Sequence, residues 1–305
     1  MPTDPLSELL ALVAARCVIT GGLRAGGDWA MRFVPDAPVK LDAVVRGSCW
    51  LIVGEDEPIQ LSAGDAVVLH NAGPTVLCSS PDVRAVEATD RPGGREDSFV
   101  RLGNGDEVAV IGGHVALDPA AADLFTSALP AVTYARAASA EAAEMRRLLE
   151  QIMAETANAQ PGAGFAVDQH AQLLLLHALR IGLRGDALTH PGWLRLLADP
   201  QLRPAVALMH GDPARSWGLA GLSEAAGMSR SHFAHRFREV SGQPPLTYLA
   251  HWRIRLAERA LRESGSTVAA LAQRLGYATE SSFSHAFARI TGVSPGQYRR
   301  KHAAR

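Results

Sequence analysis

Residues 15–115 alternate short apolar runs with turn signals, and this pattern predicts β structure. Strands are predicted over Trp29–Val34, Leu41–Val45, Cys49–Val53, Ala66–His70 and Val83–Ala88. Glycine, proline and aspartate separate these runs. Many short strands at such spacing favour a sandwich or a barrel.

From about residue 119 the apolar positions recur at helical spacing. Helices are predicted over Ser139–Ala157 and Phe165–Leu183. The centre of the second, Leu173–Leu176, is too uniformly apolar for a simple surface helix, which indicates a core position or a seam between subunits. At the other end of the chain, Asp4-Pro5 predicts an N-cap followed by proline at the first helical position.

Residues 200–305 contain an internal repeat. Ser231–Phe237 recurs as Ser281–Phe287, and the same offset relates Tyr248 to Tyr298. Each copy predicts a short helix, a glycine turn and a second helix that begins after a Ser or Thr cap. This order is the helix-turn-helix unit. Between the copies, Pro245–Arg262 predicts one rigid connecting helix, long enough to hold two reading helices about one DNA turn apart, ~34 Å.

The second helix of each copy has an apolar face and a polar face. Phe233 and Phe237, like Phe283 and Phe287, share the apolar side at 100° per residue. The opposite side carries side chains that can reach base edges in a major groove. These are Ser231, His235 and Arg238 in the first copy, and Ser281, Ser284, His285 and Arg289 in the second. Arg230, Arg236 and Arg238 are predicted to neutralise phosphates.

Charge separates the two parts of the chain, although the total is only −1. Residues 1–199 hold 15 Lys and Arg against 25 Asp and Glu, a net charge of −10, whereas residues 200–305 hold 15 against 6, a net charge of +9. Such an asymmetry indicates that one half contacts nucleic acid or a membrane. No apolar run approaches the ~18–20 residues that span a bilayer, so we expect no membrane partner.

Three cysteines, Cys17, Cys49 and Cys78, lie far apart and form no CxxC pair. We therefore expect neither a zinc site nor a disulfide framework. The first interpretation is three reduced thiols in a cytoplasmic protein. The alternative is that one or two of them sense oxidants.

Residues 200–305 resemble the DNA-binding domain of the AraC/XylS family of bacterial transcription regulators. The resemblance is carried by Leu222–Phe233, by Gly276-Tyr277 with Ser281–Phe287, and by the terminal Gly292–Tyr298. It implies two recognition helices in adjacent major grooves, with base contacts from the middle of each. The complete set of predicted DNA-binding residues is Arg230, Ser231, His232, Ala234, His235, Arg236, Arg238, Glu280, Ser281, Ser282, Ser284, His285 and Arg289.

Residues 1–118 resemble the cupin-type sensor domain of the same family, through Gly47–Leu51 and Leu61–Leu69. A barrel of this kind encloses a small ligand. The candidate lining residues are Trp29, Arg32, Asp42, Trp50, His70 and His114. Because cupins can also be metal enzymes, Asp42, His70 and His114 form an alternative metal set. We expect neither a catalytic activity nor a metal or other cofactor.

The prediction is an α+β multidomain protein with three parts. Residues 1–118 form a cupin-like β-barrel that senses an effector, residues 119–199 a helical linker that dimerises, and residues 200–305 an all-α double helix-turn-helix domain. We expect a cytoplasmic homodimer that activates transcription in response to a small molecule or a redox signal. Its partners would be double-stranded DNA, RNA polymerase and the effector.

Overall fold

A computed structural model of the chain describes residues 4–88, 99–118, 122–126, 129–136, 142–158, 160–183, 191–263 and 265–302. The chain divides into two compact units. The barrel unit contains Ala15–Leu117 and Leu129–Thr189. The helical unit contains Met1–Ala14, Asp118–Ala128 and His190–Arg305. Among the described residues, no helix is both long and apolar enough to cross a membrane.

The barrel unit consists of two sheets with two helices on one side. Its strands are β1 (Arg16–Gly26), β2 (Ala30–Phe33), β3 (Val39–Arg46), β4 (Ser48–Val53), β5 (Ile59–Ser62), β6 (Ala66–His70), β7 (Thr75–Cys78), β8 (Val86–Glu87), β9 (Phe99–Gly103), β10 (Val108–Ala116) and β11 (Val132–Ala135). One sheet has the order β11-β6-β3-β10-β1-β9, and the other has the order β5-β4-β7-β2-β8. This two-sheet architecture is the predicted barrel. It also includes β1, β5, β7, β9, β10 and β11, which the sequence pattern did not predict as separate strands, and β11 lies in the segment predicted to be helical.

Apolar side chains from both sheets meet in one core, which includes Leu23, Leu51 and Val67. Helix α3 (Ala142–Asn158) packs against α4 (Ala163–Gly182), and α4 packs on β1 and β11. The Gln172 side chain fixes α4 to the sheet, because its amide donates to the Ala15 carbonyl and accepts from the Cys17 N–H.

Helices of 5 to 19 residues make up the described part of the helical unit. They are α1 (Pro5–Leu12), α2 (Ala122–Thr126), α5 (Trp193–Ala198), α6 (Arg203–Gly211), α7 (Leu219–Ala225), α8 (Arg230–Ser241), α9 (Pro245–Glu263), α10 (Val268–Arg274), α11 (Glu280–Thr291) and α12 (Pro295–His302). Both predicted helix-turn-helix units are present, as α7–α8 and α10–α11. The predicted connector corresponds to α9, which is unbroken over 19 residues.

The two helix-turn-helix units repeat each other in their contacts as well as in their residues. Phe237 meets Tyr248 edge-on at 5.6 Å between ring centroids, and Phe287 meets Tyr298 in the same way at 5.5 Å. A left-handed glycine ends each second helix, Gly242 in α8 and Gly292 in α11. The sequence repeat is therefore a repeat of local packing.

The N-terminal helix belongs to the helical unit. Asp4 caps α1 as predicted, accepting from the Ser7 N–H at 3.0 Å. The helix packs on α6 and α9, and Arg259 of α9 donates to the Ala11 carbonyl. Asp118 lies in the same unit and pairs with Arg262. These units therefore follow a different division from the three predicted parts, whose boundaries at residues 118 and 199 stay a prediction.

Two glycines at equivalent turns face different surroundings. Gly227 and Gly276 both have left-handed backbones, with φ of +62° and +75°. A Cβ on Gly227 would meet nothing within 4 Å, whereas a Cβ on Gly276 would collide with the backbone carbonyl of Ala214. Both positions therefore favour glycine for its left-handed backbone, whereas Gly276 is also required because there is no room for a side chain.

We expect Gly227→Ala to lower the free energy of unfolding by about 1 kcal/mol, the cost of a left-handed alanine. Gly276→Ala should cost about 2–4 kcal/mol, because the collision with Ala214 adds to that strain. Urea unfolding of the full-length variants measures both. Equal losses would contradict the close approach at Gly276.

Candidate functional site

The first recognition helix, α8, is oriented by the side chains that it buries. Ser229 caps its start by accepting from the His232 N–H, and Phe233 and Phe237 are fully buried beneath it. Ser231 and His235 consequently lie on the exposed side, as predicted. The exposed side of α8 therefore presents hydrogen-bonding groups on a rigid support.

The second recognition helix, α11, is built in the same way. Thr279 and Ser282 form a reciprocal capping box, and Phe283 and Phe287 are buried. His285 is exposed at the position equivalent to His235, and Arg289 is exposed one turn later. Ser282 is also exposed, but its hydroxyl serves the helix cap, since it donates to the Thr279 carbonyl at 2.8 Å.

Helix α9 holds the two recognition helices in one unit. It packs on both α8 and α11. Its 19 residues span roughly 28 Å at about 1.5 Å per residue. That length is close to the ~34 Å between successive major grooves on one side of B-DNA.

The predicted arginines differ in what they contact. Arg230 and Arg238 are exposed. The Arg236 guanidinium instead reaches the buried Asp199, with Nη2 and Nε at 2.8 and 3.0 Å from Oδ2. Asp199 also accepts from the backbone N–H of Leu202, at the start of α6. The structure thus gives Arg236 a structural partner where the sequence predicts a phosphate contact.

A cleft of about 620 Å³ in the helical unit is lined by α9 and α11 and by Asp123 of α2. His251, Arg255 and Arg289 line it. Burial lowers the pKa of His251, and the positive charges of Arg255 and Arg289 lower it further. The cleft was not predicted, because its lining residues come from α2, α9, α11 and the segment before α9, which share no sequence motif.

The remaining predicted DNA-binding residues fall on the same two helices. Those at the exposed start of each helix are Arg230, Ser231, His232, Glu280, Ser281 and Ser282, whereas Ala234 and Ser284 are half-buried at equivalent positions. The half-buried Ala234 offers only a methyl group, which suits contact with a thymine methyl.

The barrel unit contains a cavity of about 330 Å³ between its two sheets, and Asp42 is the one predicted ligand residue among its lining. The Asp42 Oδ1 atom is 3.2 Å from the Lys40 Nζ atom. Burial raises the pKa of Asp42, and the neighbouring Lys40 opposes this increase.

The other predicted ligand residues lie elsewhere in the barrel unit. Trp29 is in the apolar core, and Arg32 pairs with Glu87 on an exposed surface. The His70 imidazole contacts the Leu129 carbonyl and the Asn71 side chain, and burial lowers its pKa. Trp50 and His114 are half-buried on β4 and β10. Within the described ranges, no three His, Cys, Asp or Glu side chains are grouped so as to hold a metal ion.

The three cysteines are buried and unbridged. Burial raises the pKa of Cys17 and of Cys49 to about 12, with smaller contributions from Asp168 at Cys17 and from Cys78 at Cys49. Burial also raises the pKa of Cys78. Because the thiolate is the form that oxidants attack, this environment disfavours fast oxidation.

Two comparisons identify the family. Residues 4–183 match the family model described as Cupin, and residues 222–301 match the model described as Helix-turn-helix domain. A putative AraC-like transcription regulator of Streptomyces lividans is 40% identical over 299 residues, which cover 97% of this chain and 98% of the relative. The chain belongs to the AraC-like transcription regulators.

A second full-length relative is more distant. The RCS-specific HTH-type transcriptional activator RclR of Escherichia coli is 27% identical over 304 residues, which cover 98% of both chains. Among solved structures, the DNA-binding domain of AdpA in complex with a target DNA is 31% identical, with a TM-score of 0.34, and covers 35% of this chain and 96% of that one. Both full-length relatives of this AraC-like regulator are named as transcription regulators.

The predicted phosphate contact of Arg238 and the structural role of Arg236 in this AraC-like regulator can be tested separately. Arg238→Ala should weaken binding to all DNA sequences and reduce the slope of log affinity against log salt by about 1. It should change the free energy of unfolding by less than about 0.5 kcal/mol. DNA titrations at several salt concentrations, with urea unfolding alongside, measure both effects.

Arg236→Ala is the matched control on the same helix. It should leave the salt slope unchanged and lower the free energy of unfolding by about 1–2 kcal/mol, because Asp199 loses its charged partner. A reduced salt slope for this variant would show that Arg236 contacts phosphate.

Proposed function

We propose that this AraC-like regulator is an effector-responsive activator, in which the barrel unit binds a small molecule and α8 and α11 read the DNA. RNA polymerase is its partner at the promoter, and the protein acts in the bacterial cytoplasm. Its relative of E. coli is named as an activator. The barrel unit has a binding role rather than a catalytic one.

The observation that carries the DNA-reading proposal is the matched exposure of His235 and His285. Both side chains lie on the outer side of helices whose inner sides are fixed by buried phenylalanine pairs. A neutral imidazole both donates and accepts a hydrogen bond, so each can contact a base edge. Ser231 and Ser281 stand one turn earlier on the same two surfaces.

The sensing proposal rests on the barrel cavity and on the Lys40–Asp42 pair in its wall, of which Asp42 is buried. The Asp42 Oδ2 atom is buried without a hydrogen-bond partner among the described residues, which is costly unless a bound molecule supplies a donor. The oxidant-sensing alternative has weaker support, because all three cysteines are buried.

The homodimer proposal rests on α4. Phe165 and Leu173 are 73% and 45% exposed, although the neighbouring Leu174 and Leu175 are fully buried in the barrel unit. Large exposed apolar side chains on a helix that is otherwise packed indicate a surface that another protein covers. A second copy of the chain suits it, because a twofold interface uses the same surface on both subunits.

Selection of binding sites from a random DNA pool, with the full-length protein, tests the DNA-reading proposal. The selected sites should contain two preferred blocks about one helical turn apart. His235→Ala should relax the preference in one block, and His285→Ala in the other, with a loss of about 1–3 kcal/mol in each case.

The matched control for these variants is His114→Ala, in the barrel unit. It should leave the selected DNA sequences unchanged. Unchanged preferences in both His235→Ala and His285→Ala would contradict the assignment of these two faces to base reading.

Sedimentation of the full-length protein tests the dimer. Replacing Phe165 and Leu173 together by Glu should shift the protein towards the monomer, since two carboxylates per subunit would be buried in the interface. Leu208→Glu, at a partly exposed position of α6, is the control. If the double variant sediments as the unmodified protein does, α4 is not the interface.

A further inference from the structure

The barrel cavity has an apolar body and a single charged corner. The apolar lining comes from both sheets and includes Leu23, Met31, Phe33, Leu77, Val100 and Val110. Lys40 and Asp42 form the corner. The remaining charged lining residue, Asp36, is exposed. The cavity volume of about 330 Å³ is at the lower end for binding sites of small molecules.

Asp42 is unusual for a carboxylate in an apolar setting. It is only 4% exposed, and its Oδ1 atom lies 3.2 Å from Lys40 Nζ. Its Oδ2 atom is buried and has no hydrogen-bond partner among the described residues. A buried acceptor without a hydrogen-bond donor destabilises the folded protein. A bound molecule that donates to Asp42 Oδ2 would remove this cost.

The backbone leaves room at this corner. Strand β10 pairs with β3 so that Gly112 lies opposite Asp42. A Cβ on Gly112 would lie 2.9 Å from Asp42 Oδ1 and 3.3 Å from Lys40 Nζ. The glycine therefore leaves space beside both charged groups that a larger side chain would fill.

Lys40 also contacts an aromatic ring. Its Nζ atom lies 5.1 Å from the centre of the Phe33 ring, within the range of a cation–π contact. It is one of only two lysines in a chain that has 30 lysine and arginine residues. The ammonium has three donors, so donors remain for a ligand after it has bonded to Asp42.

The charges of this corner restrict the ligand. Lys40 and Asp42 already neutralise each other, so a charged ligand would bring an uncompensated charge into a mainly apolar cavity, which is unfavourable. A hydroxyl group can donate to Asp42 and accept from Lys40 at the same time. A hydrocarbon could do neither.

We propose that the barrel unit binds a small, neutral, mainly apolar molecule with a hydroxyl group, of the phenol class, which donates to Asp42 Oδ2 and accepts from Lys40. This proposal rests on the sensing role under the proposed function and gives that site its ligand class.

Calorimetric titration of the full-length protein with 4-alkylphenols from 4-methylphenol to 4-hexylphenol tests the proposal. Each phenol is compared with the alkylbenzene, the 4-alkylbenzoate and the 4-alkylbenzylammonium of the same chain length. At least one phenol should bind about tenfold or more tightly than all three matched compounds, as expected for a hydrogen bond to a charged group. If no phenol binds, or if an alkylbenzene or a charged compound binds as tightly, the proposal is wrong.

Substitutions of Asp42 and Lys40 test whether these two side chains contact the hydroxyl group of the ligand. Asp42→Asn and Lys40→Met should each remove most of the preference of the protein for the phenol over the alkylbenzene. Asp28→Asn, at an exposed position outside the cavity, is the control and should keep it. Lys40 is partly exposed, so Lys40→Met remains informative if Asp42→Asn fails to fold. Full preference in a folded Lys40→Met variant would overturn the assigned contact.

DNA binding is measured on the same preparations without any added compound. If the protein binds its selected DNA but no phenol, the ligand class is wrong while the DNA-reading function stands. If a benzoate or a benzylammonium binds in the cavity instead, sensing stands and only the neutral hydroxyl class is overturned. Loss of DNA binding with retained phenol binding would count against the proposed function alone.

Discussion

The packing of α9 is the constraint on which the DNA-binding surface depends. One side of this helix gives Tyr248, Leu249 and Trp252 to the interior near α8. Its later turns give Ile254, Ala257 and Leu261 to the core beneath α11. Because both cores use the same continuous helix, the separation of the two recognition helices is set by α9 rather than by a loop. A helix break there would leave each helix-turn-helix unit intact but would lose their common register.

The first turns of α9 also carry a buried aromatic stack that fixes its orientation against α6. The His210 ring lies parallel to the Trp252 ring at 3.7 Å, and its Nε2 atom is 2.8 Å from the Tyr248 hydroxyl. Burial lowers the pKa of His210 to about 3, so the ring is neutral at ordinary pH. A neutral ring packs in this position without the cost of a buried charge, which makes the stack a rigid joint between the two helices.

The sequence predicts the fold best where periodicity and capping agree. The period of Phe233 and Phe237 correctly orients α8, because a helix places residues four apart on one side. The same spacing of Phe283 and Phe287 correctly orients α11. The Asp4-Pro5 capping signal correctly predicts where α1 begins. The Arg236–Asp199 pair could not be predicted, since the two residues are 37 positions apart and no periodic pattern relates them.

The cavity shows a second limit of sequence reasoning. Asp42 was among the predicted lining residues, but Lys40 and Gly112 were not, because their placement depends on the register of β3 against β10. Trp29 and His70 have the residue types of a ligand site yet lie in the core and against a loop carbonyl. Residue type alone cannot distinguish these positions, whereas strand register decides which side chains share a wall.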